Sequence, residues 1–230
     1  MWSGMSMVTC IIFDCDGVLV DSEMIAARVA ADCFTEAGMP ITAEELTRRF
    51  SGIAGDQVTV QLAAQFGVVP DAAMTEKRRH RIMTAFASEL KAIPGVDCAL
   101  DSLAQEKCVA SSSHPERVAL SLRLTGVERH FGERVYSSSM VSRGKPAPDL
   151  FLYAAAQLGH VPSNCLVVED SVHGVAAAKV AGMRIFGFTG GSHCSGETAG
   201  KLRAAGADSV FHEMRELPSL VARAAIHMQP

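Results

Sequence analysis

The chain has 230 residues, 48% of them hydrophobic, which suits one large domain or a core with an inserted subdomain. Its net charge of −4 argues against a nucleic-acid-binding protein, which would usually be basic. The sequence contains no apolar run of the roughly 18 residues that a membrane span requires, and residues 1–7 lack the features of a signal peptide. We therefore expect a cytoplasmic protein without a membrane contact. Its seven cysteines form no Cys-x-x-Cys pair, which favours reduced thiols over disulfides or zinc.

The first predicted element is a buried strand from Val8 to Phe13, directly followed by Asp14 and Asp16. Gly17 permits the turn that ends it. Residues two apart in an extended chain point to the same side, so both carboxylates emerge at the strand's carboxyl end, where open α/β sheets bind ligands. Like charges this close need a cation or a shared proton, which indicates metal-assisted chemistry. Capping of the turn is the simpler alternative.

A long helical stretch with little strand character follows the first strand. Ser22 is predicted to cap a helix from Glu23 to about Ala37, and Thr42 to Glu45 form a capping box for the next helix. Further helical patterns run from Asp56 to Phe66 and from Asp71 to Leu90. The block from residue 23 to 91 is therefore predicted to be an insertion after the first strand.

From residue 92 onward, strands and helices alternate. The predicted strands are 107–110, 134–136, 165–168, 183–188 and 207–211. The predicted helices are 114–124, 148–158, 173–181 and 217–225. Such alternation predicts an α/β fold, a doubly wound parallel sheet with helices on both faces.

Three more polar clusters fall at the ends of predicted strands in this second part. Ser111, Ser112 and Ser113 offer hydroxyls and amides that could bind phosphate oxygens, although a serine run after a strand is often ordinary turn chemistry. Lys145 lies in a loop between prolines, which fix the backbone around it. A lone lysine is usually a solvated surface charge, so the sequence leaves both interpretations of Lys145 open.

Glu169 and Asp170 end the most apolar predicted strand. Burying their charge without a partner would be costly, and a metal ion or Lys145 would relieve it. Helix capping by Asp170 or Ser171 is the simpler alternative. Together with the first two aspartates, these carboxylates form a set of hard oxygen ligands that suits Mg²⁺. The combination of metal, lysine and free carboxylate predicts phosphoryl transfer.

These clusters together resemble the four motifs of the haloacid-dehalogenase-like hydrolase superfamily, in order and in separation. The motifs are Asp14-x-Asp16-Gly17-Val18-Leu19-Val20-Asp21-Ser22-Glu23, Ser111, Gly144-Lys145-Pro146-x-Pro148-Asp149 and Glu169-Asp170-Ser171-x-x-Gly174. The resemblance covers nearly the whole chain. It implies a Rossmann-like catalytic core at 1–22 and 92–230 and a helical cap domain at 23–91. More narrowly, the chain resembles bacterial sugar-phosphate phosphatases of the β-phosphoglucomutase-like group, including 6-phosphogluconate phosphatase-like members.

The resemblance also implies roles for individual residues. Asp14 would attack phosphorus and form an aspartyl-phosphate, and Asp16 would act as general acid and then general base. Ser111 and Lys145 would hold the phosphoryl group, with Ser112 beside them and Glu23 facing the substrate. Mg²⁺ would be bound by Asp14, the backbone carbonyl of Asp16, Asp170 and Glu169, the last directly or through water. The expected substrate is a small phosphorylated sugar or polyol, and the expected state is a monomer or small homo-oligomer.

Three other functions compete with the phosphatase. A 2-haloacid dehalogenase needs no general acid, so Asp16 disfavours it. A β-phosphoglucomutase-like enzyme would carry a His and an Arg in the cap, where the ungapped motifs place Ala26 and Gly55. A receiver-type signalling domain would have its acidic pair before the phosphoacceptor, whereas here Glu169 and Asp170 come last.

Two weaker features are expected to be structural. The basic run from Glu76 to Arg81 could steer anionic substrates, but such a run is more often a solvated helix face. His193 follows two glycines without the Gly-Lys-Ser/Thr ending of a phosphate loop, which favours a surface or structural residue.

Overall fold

The computed structural model describes residues 7–50, 53 and 55–226. The termini of the predicted core domain, 1–6 and 227–230, lie outside the described residues. Six strands form one sheet, and every neighbouring pair is parallel. They are β1 (Cys10–Phe13), β2 (Glu106–Ser111), β3 (Val135–Ser137), β4 (Cys165–Glu169), β5 (Arg184–Phe188) and β6 (Ser209–Phe211). The predicted doubly wound parallel sheet is confirmed, with strand ends shifted by at most two residues.

The strand order β3-β2-β1-β4-β5-β6 decides where the site lies. From β1 in the middle of the sheet, β2 and β3 follow on one side and β4, β5 and β6 on the other. The strand order therefore reverses at β1, which lies between β2 and β4. Phe13, the last residue of β1, pairs with Val109 of β2 and Val168 of β4. The residues that follow these three strands are therefore neighbours at one edge of the sheet.

Alternating residues of the strands form two hydrophobic cores. In β1, Ile11 and Phe13 belong to one cluster and Cys10 and Ile12 to the other, and all four are fully buried. A parallel sheet covered on both faces requires this continuous hydrophobic run. All seven cysteines are free thiols, and five of them are buried.

Ten α-helices lie in the described residues. They are α1 (Glu23–Glu36), α2 (Ala43–Phe50), α3 (Gly55–Phe66), α4 (Ala72–Glu89), α5 (Val96–Ser102), α6 (Pro115–Thr125), α7 (Asp149–Gln157), α8 (Val172–Val180), α9 (Thr198–Ala205) and α10 (Leu217–Ile226). The sequence analysis missed α5 and α9. Both are short, and Gly200 interrupts the helical pattern of α9, where Leu202 is the buried residue. Among the described helices, none has the length and apolar character to cross a bilayer.

Helices α1 to α4 all lie between β1 and β2 in the chain and have small cores of their own. One cluster joins Phe34 of α1 to Leu62 of α3, and another joins Val29 of α1 to Phe86 of α4. Their helix starts follow the sequence in part. Asp71 caps α4 by accepting a hydrogen bond from the Met74 amide at 2.6 Å.

The predicted capping interactions at α1 and α2 differ from those observed. Thr42 accepts from the Glu45 amide at 3.1 Å, but the Glu45 carboxylate pairs with Arg49. Ser22 occupies the N-cap position of α1 without a side-chain capping bond. Its hydroxyl instead donates a charge-assisted hydrogen bond to the buried Asp16 carboxylate at 2.5 Å.

Candidate active site

The edge of the sheet formed by the carboxyl ends of β1, β2 and β4 carries most of the polar residues singled out in the sequence. Asp14 follows β1, and its amide donates to the Val168 carbonyl of β4 at 3.0 Å, which continues the strand pairing. Ser111 ends β2 and Glu169 ends β4. The parallel sheet thus converts residues distant in sequence into neighbours.

Lys145 joins two of these strand ends. Its Nζ donates to Asp14 Oδ1 at 2.6 Å and to Glu169 Oε1 at 2.5 Å, and it lies 4.8 Å from the centre of the Phe151 ring. The lysine side chain is only 1% exposed, so it is no solvated surface charge. Burial alone would lower the pKa of Lys145, but Asp14 and Glu169 together raise it above its usual value. The lysine is therefore a fixed positive charge.

Asp14, Glu169 and Asp170 form a cluster of buried carboxylates. Each offers one oxygen, and these oxygens lie within 4.8 Å of one another. Burial raises the pKa of Asp14 well above its usual value, opposed by Lys145 and reinforced by the neighbouring carboxylates. Such crowding of hard oxygen donors fits a divalent cation, which would relieve the repulsion. The three side chains therefore fit the metal site that the sequence predicts.

Two glycines make room for this cluster. A Cβ atom at Gly17, whose φ is +79°, would lie 1.9 Å from Asp170 Oδ2. A Cβ atom at Gly174 would lie 1.8 Å from Glu169 Oε1. Both motif glycines are thus needed because carboxylates occupy the space of a side chain. Ser171 caps α8 by accepting from the Gly174 amide at 3.0 Å, so the capping alternative holds for Ser171 but not for Asp170.

Asp16 lies outside the carboxylate cluster and is surrounded by donors. Arg117 donates to its Oδ1 at 2.7 Å, and the Ser22 and Ser113 hydroxyls donate at 2.5 Å each. Burial by itself would raise the pKa of Asp16, but Arg117 and these hydroxyls outweigh it and lower the pKa. Asp14 and Asp16 therefore have opposite electrostatic surroundings although one residue separates them.

Ser111 and Ser112 line the same cavity as the carboxylates. The Ser111 hydroxyl accepts from the Ser113 amide at 3.1 Å, and the Ser112 carbonyl accepts from the Ser138 hydroxyl at 2.9 Å. These hydrogen bonds are those of an ordinary turn, as the simpler interpretation of the serine run predicts. They also fix the loop so that its serines border the cavity.

Glu23, at the start of α1, also borders the cavity. Burial, and next the charge of Asp16, raise the pKa of Glu23 to about 7. The side chain therefore changes charge near neutral pH.

The His193 side chain is buried, so of the two expected alternatives, a surface or a structural residue, the surface one is wrong. Its side chain is 5% exposed, and its Nε2 lies 3.0 Å from Asp170 Oδ2. Burial would lower the pKa of His193, but Asp170 dominates and raises it to about 11. The Asp21 carboxylate accepts from both the amide and the hydroxyl of Ser192, which fixes the loop that carries the histidine.

The sequence analysis missed the roles of Arg117 and Ser113. Ser113 belongs to the serine run that was examined, whereas Arg117 lies in the first turn of α6 and had no motif to mark it. A cation was nevertheless to be expected near Asp16, because a second buried carboxylate needs a partner. The arginine also stacks on Phe86 of α4, at 5.0 Å from the ring centre.

The strand ends and helices α1 to α4 enclose a cavity of about 630 Å³. The sheet contributes its carboxylates, serines and Lys145. The helices contribute a largely apolar wall that includes Ala26, Ala30, Phe34 and Ile82. A pocket with an apolar wall and a few converging polar groups is typical of small-molecule sites.

Comparisons with known proteins agree with this geometry. Residues 8–182 match the family model described as haloacid dehalogenase-like hydrolase. The chain is 32% identical to the 6-phosphogluconate phosphatase of Escherichia coli K12, over 82% of this chain and 86% of that protein. It is 36% identical to the phosphorylated carbohydrates phosphatase of Thermotoga maritima, over 77% and 83%. The crystal structure of a conserved haloacid dehalogenase-like protein from Agrobacterium tumefaciens superposes with a TM-score of 0.82 at 41% identity, covering 94% of this chain and 99% of that chain.

The chain belongs to the haloacid dehalogenase-like hydrolases. The two curated relatives from Escherichia coli and Thermotoga maritima are named phosphatases, which confirms the prediction of a phosphoric monoester hydrolase. The resemblance to the sugar-phosphate phosphatase group is confirmed as well.

Proposed function

We propose that the protein is a Mg²⁺-dependent phosphatase that hydrolyses a small phosphorylated sugar or polyol through an aspartyl-phosphate on Asp14. The observation that carries the proposal is the contact of Asp14 with Lys145 beside Glu169 and Asp170. A nucleophilic carboxylate, a fixed cation and a set of hard oxygen ligands are the parts that phosphoryl transfer requires.

In the first step, a carboxylate oxygen of Asp14 forms a bond to phosphorus, and the bond from phosphorus to the sugar oxygen breaks. Lys145 holds Asp14 Oδ1, which leaves Oδ2 to attack. The Lys145 ammonium and the Ser111 and Ser112 loop bind the phosphoryl oxygens and offset their charge. The positive charge is in place before the reaction, so no reorganisation is needed.

Asp16 transfers protons in both steps. It donates a proton to the leaving alkoxide and then takes one from the water that hydrolyses the aspartyl-phosphate. Because the pKa of Asp16 is lowered, its carboxylate is ionised before substrate binds. The negative phosphate of the bound substrate favours protonation of Asp16, which takes up a proton from solvent before it donates it to the leaving alkoxide. Ser22, Ser113 and Arg117 keep the carboxylate in one orientation.

Asp14 and Asp170 would bind Mg²⁺ with their side chains and Asp16 with its backbone carbonyl. Both oxygens of Glu169 already accept hydrogen bonds, from Lys145 and Ser171, which favours its action through water. When bound, the metal neutralises phosphoryl oxygens and so lowers the barrier to displacement. His193 would keep Asp170 oriented.

The segment from 23 to 91 would act as a cap domain on a core made of residues 1–22 and 92–230. It carries the apolar wall of the cavity, and Glu23 at its start would contact the substrate. A closed cap excludes bulk water during the first step. Cytoplasmic location and a monomeric or small homo-oligomeric state stay predictions from the sequence.

The mutase alternative is disfavoured by the residues of this wall. Ala26 is a buried alanine of α1, and Gly55 begins α3, so neither position carries the expected His or Arg. Without a His in α1 the cap has less means to delay water, and the cation nearest to Gly55 comes from α4, since a Cβ atom at Gly55 would lie 3.2 Å from Arg78 Nη2. Addition of a sugar bisphosphate should therefore yield inorganic phosphate and no isomerised sugar phosphate.

The test is phosphate release from a panel of sugar and polyol phosphates, with Mg²⁺ and with EDTA, for the wild type and Asp14→Asn. Turnover should require Mg²⁺, and the variant should lose it by about a thousandfold or more while its circular dichroism is unchanged. Asp101→Asn, which changes an exposed carboxylate of α5, is the control. Retention of most activity by Asp14→Asn would refute the nucleophilic role.

A further inference from the structure

One cation of the basic run on α4 differs from its neighbours. Lys77 and Arg81 are about half exposed and pair with Glu36 of α1 at 2.8 and 2.7 Å. Arg78 is 7% exposed and lines the cavity that contains Asp14. The expectation of a solvated face therefore holds for Lys77 and Arg81, whereas Arg78 points inward.

The contacts of Arg78 fix its guanidinium but compensate its charge poorly. One terminal nitrogen donates to the Thr59 hydroxyl, and the other lies 3.3 Å from Asp56 Oδ1. The Asp56 side chain is 82% exposed, so water screens its charge. The guanidinium carbon lies 5.2 Å from the centre of the Phe34 ring, which holds the group from another side.

A buried cation with a distant, hydrated counterion is costly unless a ligand completes its surroundings. Burial lowers the pKa of Arg78 below its usual value, and Asp56 opposes this only in part. The charge of Arg117, which lines the same cavity, lowers it further. Because Arg117 is already paired with Asp16, Arg78 is, among the described residues of this cavity wall, the buried cation that remains to bind a substrate anion.

We propose that Arg78 binds a carboxylate of the substrate, so that the preferred substrates are phosphorylated sugar acids. The inference rests on the proposed phosphatase function and names the substrate class of the same site. The planar guanidinium has more N–H donors than Thr59 and Asp56 use, and its fork matches a carboxylate. A single guanidinium suits the single charge of a carboxylate better than the double charge of a second phosphate.

The test compares two substrates that differ in one group. In 6-phosphogluconate the carbon chain ends in a carboxylate, and in D-glucitol 6-phosphate it ends in a hydroxymethyl group. The wild type should show a kcat/KM about 30-fold higher for the acid, the size expected for a charge-assisted hydrogen-bond pair. Arg78→Met should bring the ratio to about 1 and change the kcat/KM for glucitol phosphate less than about threefold.

Lys77→Met is the matched control. It removes the same charge from the adjacent position of α4, where the lysine faces solvent and Glu36. The ratio of its kcat/KM values for the two substrates should equal that of the wild type. If the preference came from general electrostatic steering, Lys77→Met would lower this ratio as Arg78→Met does. If Arg78→Met does not fold, Arg78→Gln, which retains a donor for Thr59, takes its place.

Several outcomes would overturn the inference. They are equal activity of the wild type on both substrates, an equal loss on both in the Arg78 variant, and a preference for glucose 1,6-bisphosphate over the acid. An equal loss would mean that Arg78 only joins α3 to α4. Absence of phosphate release from every substrate would instead refute the proposed function itself.

Discussion

Charged side chains are buried and paired at the edge of the sheet, whereas most of them are exposed in the helical segment between β1 and β2. At the sheet edge, Lys145 and Glu169 are each 1% exposed and contact each other directly. In the helical segment, most ion pairs lie in solvent, as Arg28 and Glu89 do with about half of each side chain exposed. Arg78 is the exception, a buried cation on a helix that otherwise carries its charges outside.

This difference has a physical origin. Parallel strands place their ends at fixed spacing, so charges there are held together by backbone hydrogen bonds and cannot separate. Side chains on the surface of a helix bundle have no such restraint, and water screens them. Substitutions at the sheet edge should therefore change the reaction, whereas most substitutions in the helical segment should change only stability or substrate preference.

After Asp14→Asn, the largest effect is expected for Lys145→Ala. It removes the cation between Asp14 and Glu169 and leaves two buried carboxylates in repulsion. We expect kcat/KM to fall by about 10²–10³-fold and the metal-free protein to lose about 3–5 kcal/mol of unfolding free energy. Steady-state kinetics and urea unfolding measure both, with Lys201→Ala, an exposed lysine of α9, as the control. Near-normal phosphate affinity would contradict the role.

Asp170→Asn should weaken Mg²⁺ binding. The amide keeps the shape of the side chain but offers a poorer metal ligand, so we expect the half-saturating Mg²⁺ concentration to rise about 10–100-fold. Titration calorimetry detects this without turnover. Asp149→Asn, which changes a carboxylate paired with Arg143 at the protein surface, should leave the titration unchanged. An unchanged titration of Asp170→Asn would count against metal ligation.

Glu23 joins the two regions, and its effect should depend on pH. Its pKa is raised from 4.5 to about 7, so the folded state prefers the protonated form. The resulting stabilisation is complete below pH 4.5 and is lost as the pH rises through about 7. Relative to Glu23→Gln, the wild type should lose about 1–3 kcal/mol of unfolding free energy between pH 5 and pH 8. Urea unfolding in EDTA tests this, and parallel curves for both proteins would exclude it.

The smallest effect is expected at the start of α4, where Asp71 is not among the residues that line the cavity. Asp71→Ala removes the hydrogen bond from the Met74 amide to the capping carboxylate. We expect a loss of about 1 kcal/mol in unfolding free energy with kcat/KM unchanged. A large loss of activity would show that the helical segment controls the reaction more strongly than the comparison implies.

Much of the fold followed from local pattern. The strands β1 and β4 are continuous apolar runs, and helices α1 to α4 show apolar spacing and start signals, so their existence was predictable. Short elements such as α5 and α9 were not, because a helix of two turns carries too few residues to display a period. The observed cap at Asp71 also shows that a start signal is reliable when nothing competes for the side chain.

The site was predictable where residues lie in motifs and unpredictable where only folding brings them together. Asp14, Lys145 and Glu169 were named from the sequence and do contact one another. Arg117 was missed because its contact with Asp16 crosses 101 positions of the chain. Likewise, the sequence does not predict that Arg78 points inward, because every residue from Glu76 to Arg81 is polar and none stands out from its neighbours.

The sequence by itself determined the residue types at the strand ends, the alternation that makes a parallel sheet, and the turn that Gly17 permits after β1. These properties are local, because backbone geometry and burial period depend on neighbouring residues. The tertiary structure alone decided the electrostatic state of each group. The Ser22 hydroxyl donates to Asp16 and does not cap its helix, His193 contacts Asp170, and Arg78 lines the cavity. Charge and hydrogen bonding depend on neighbours in space, which the order of residues does not specify.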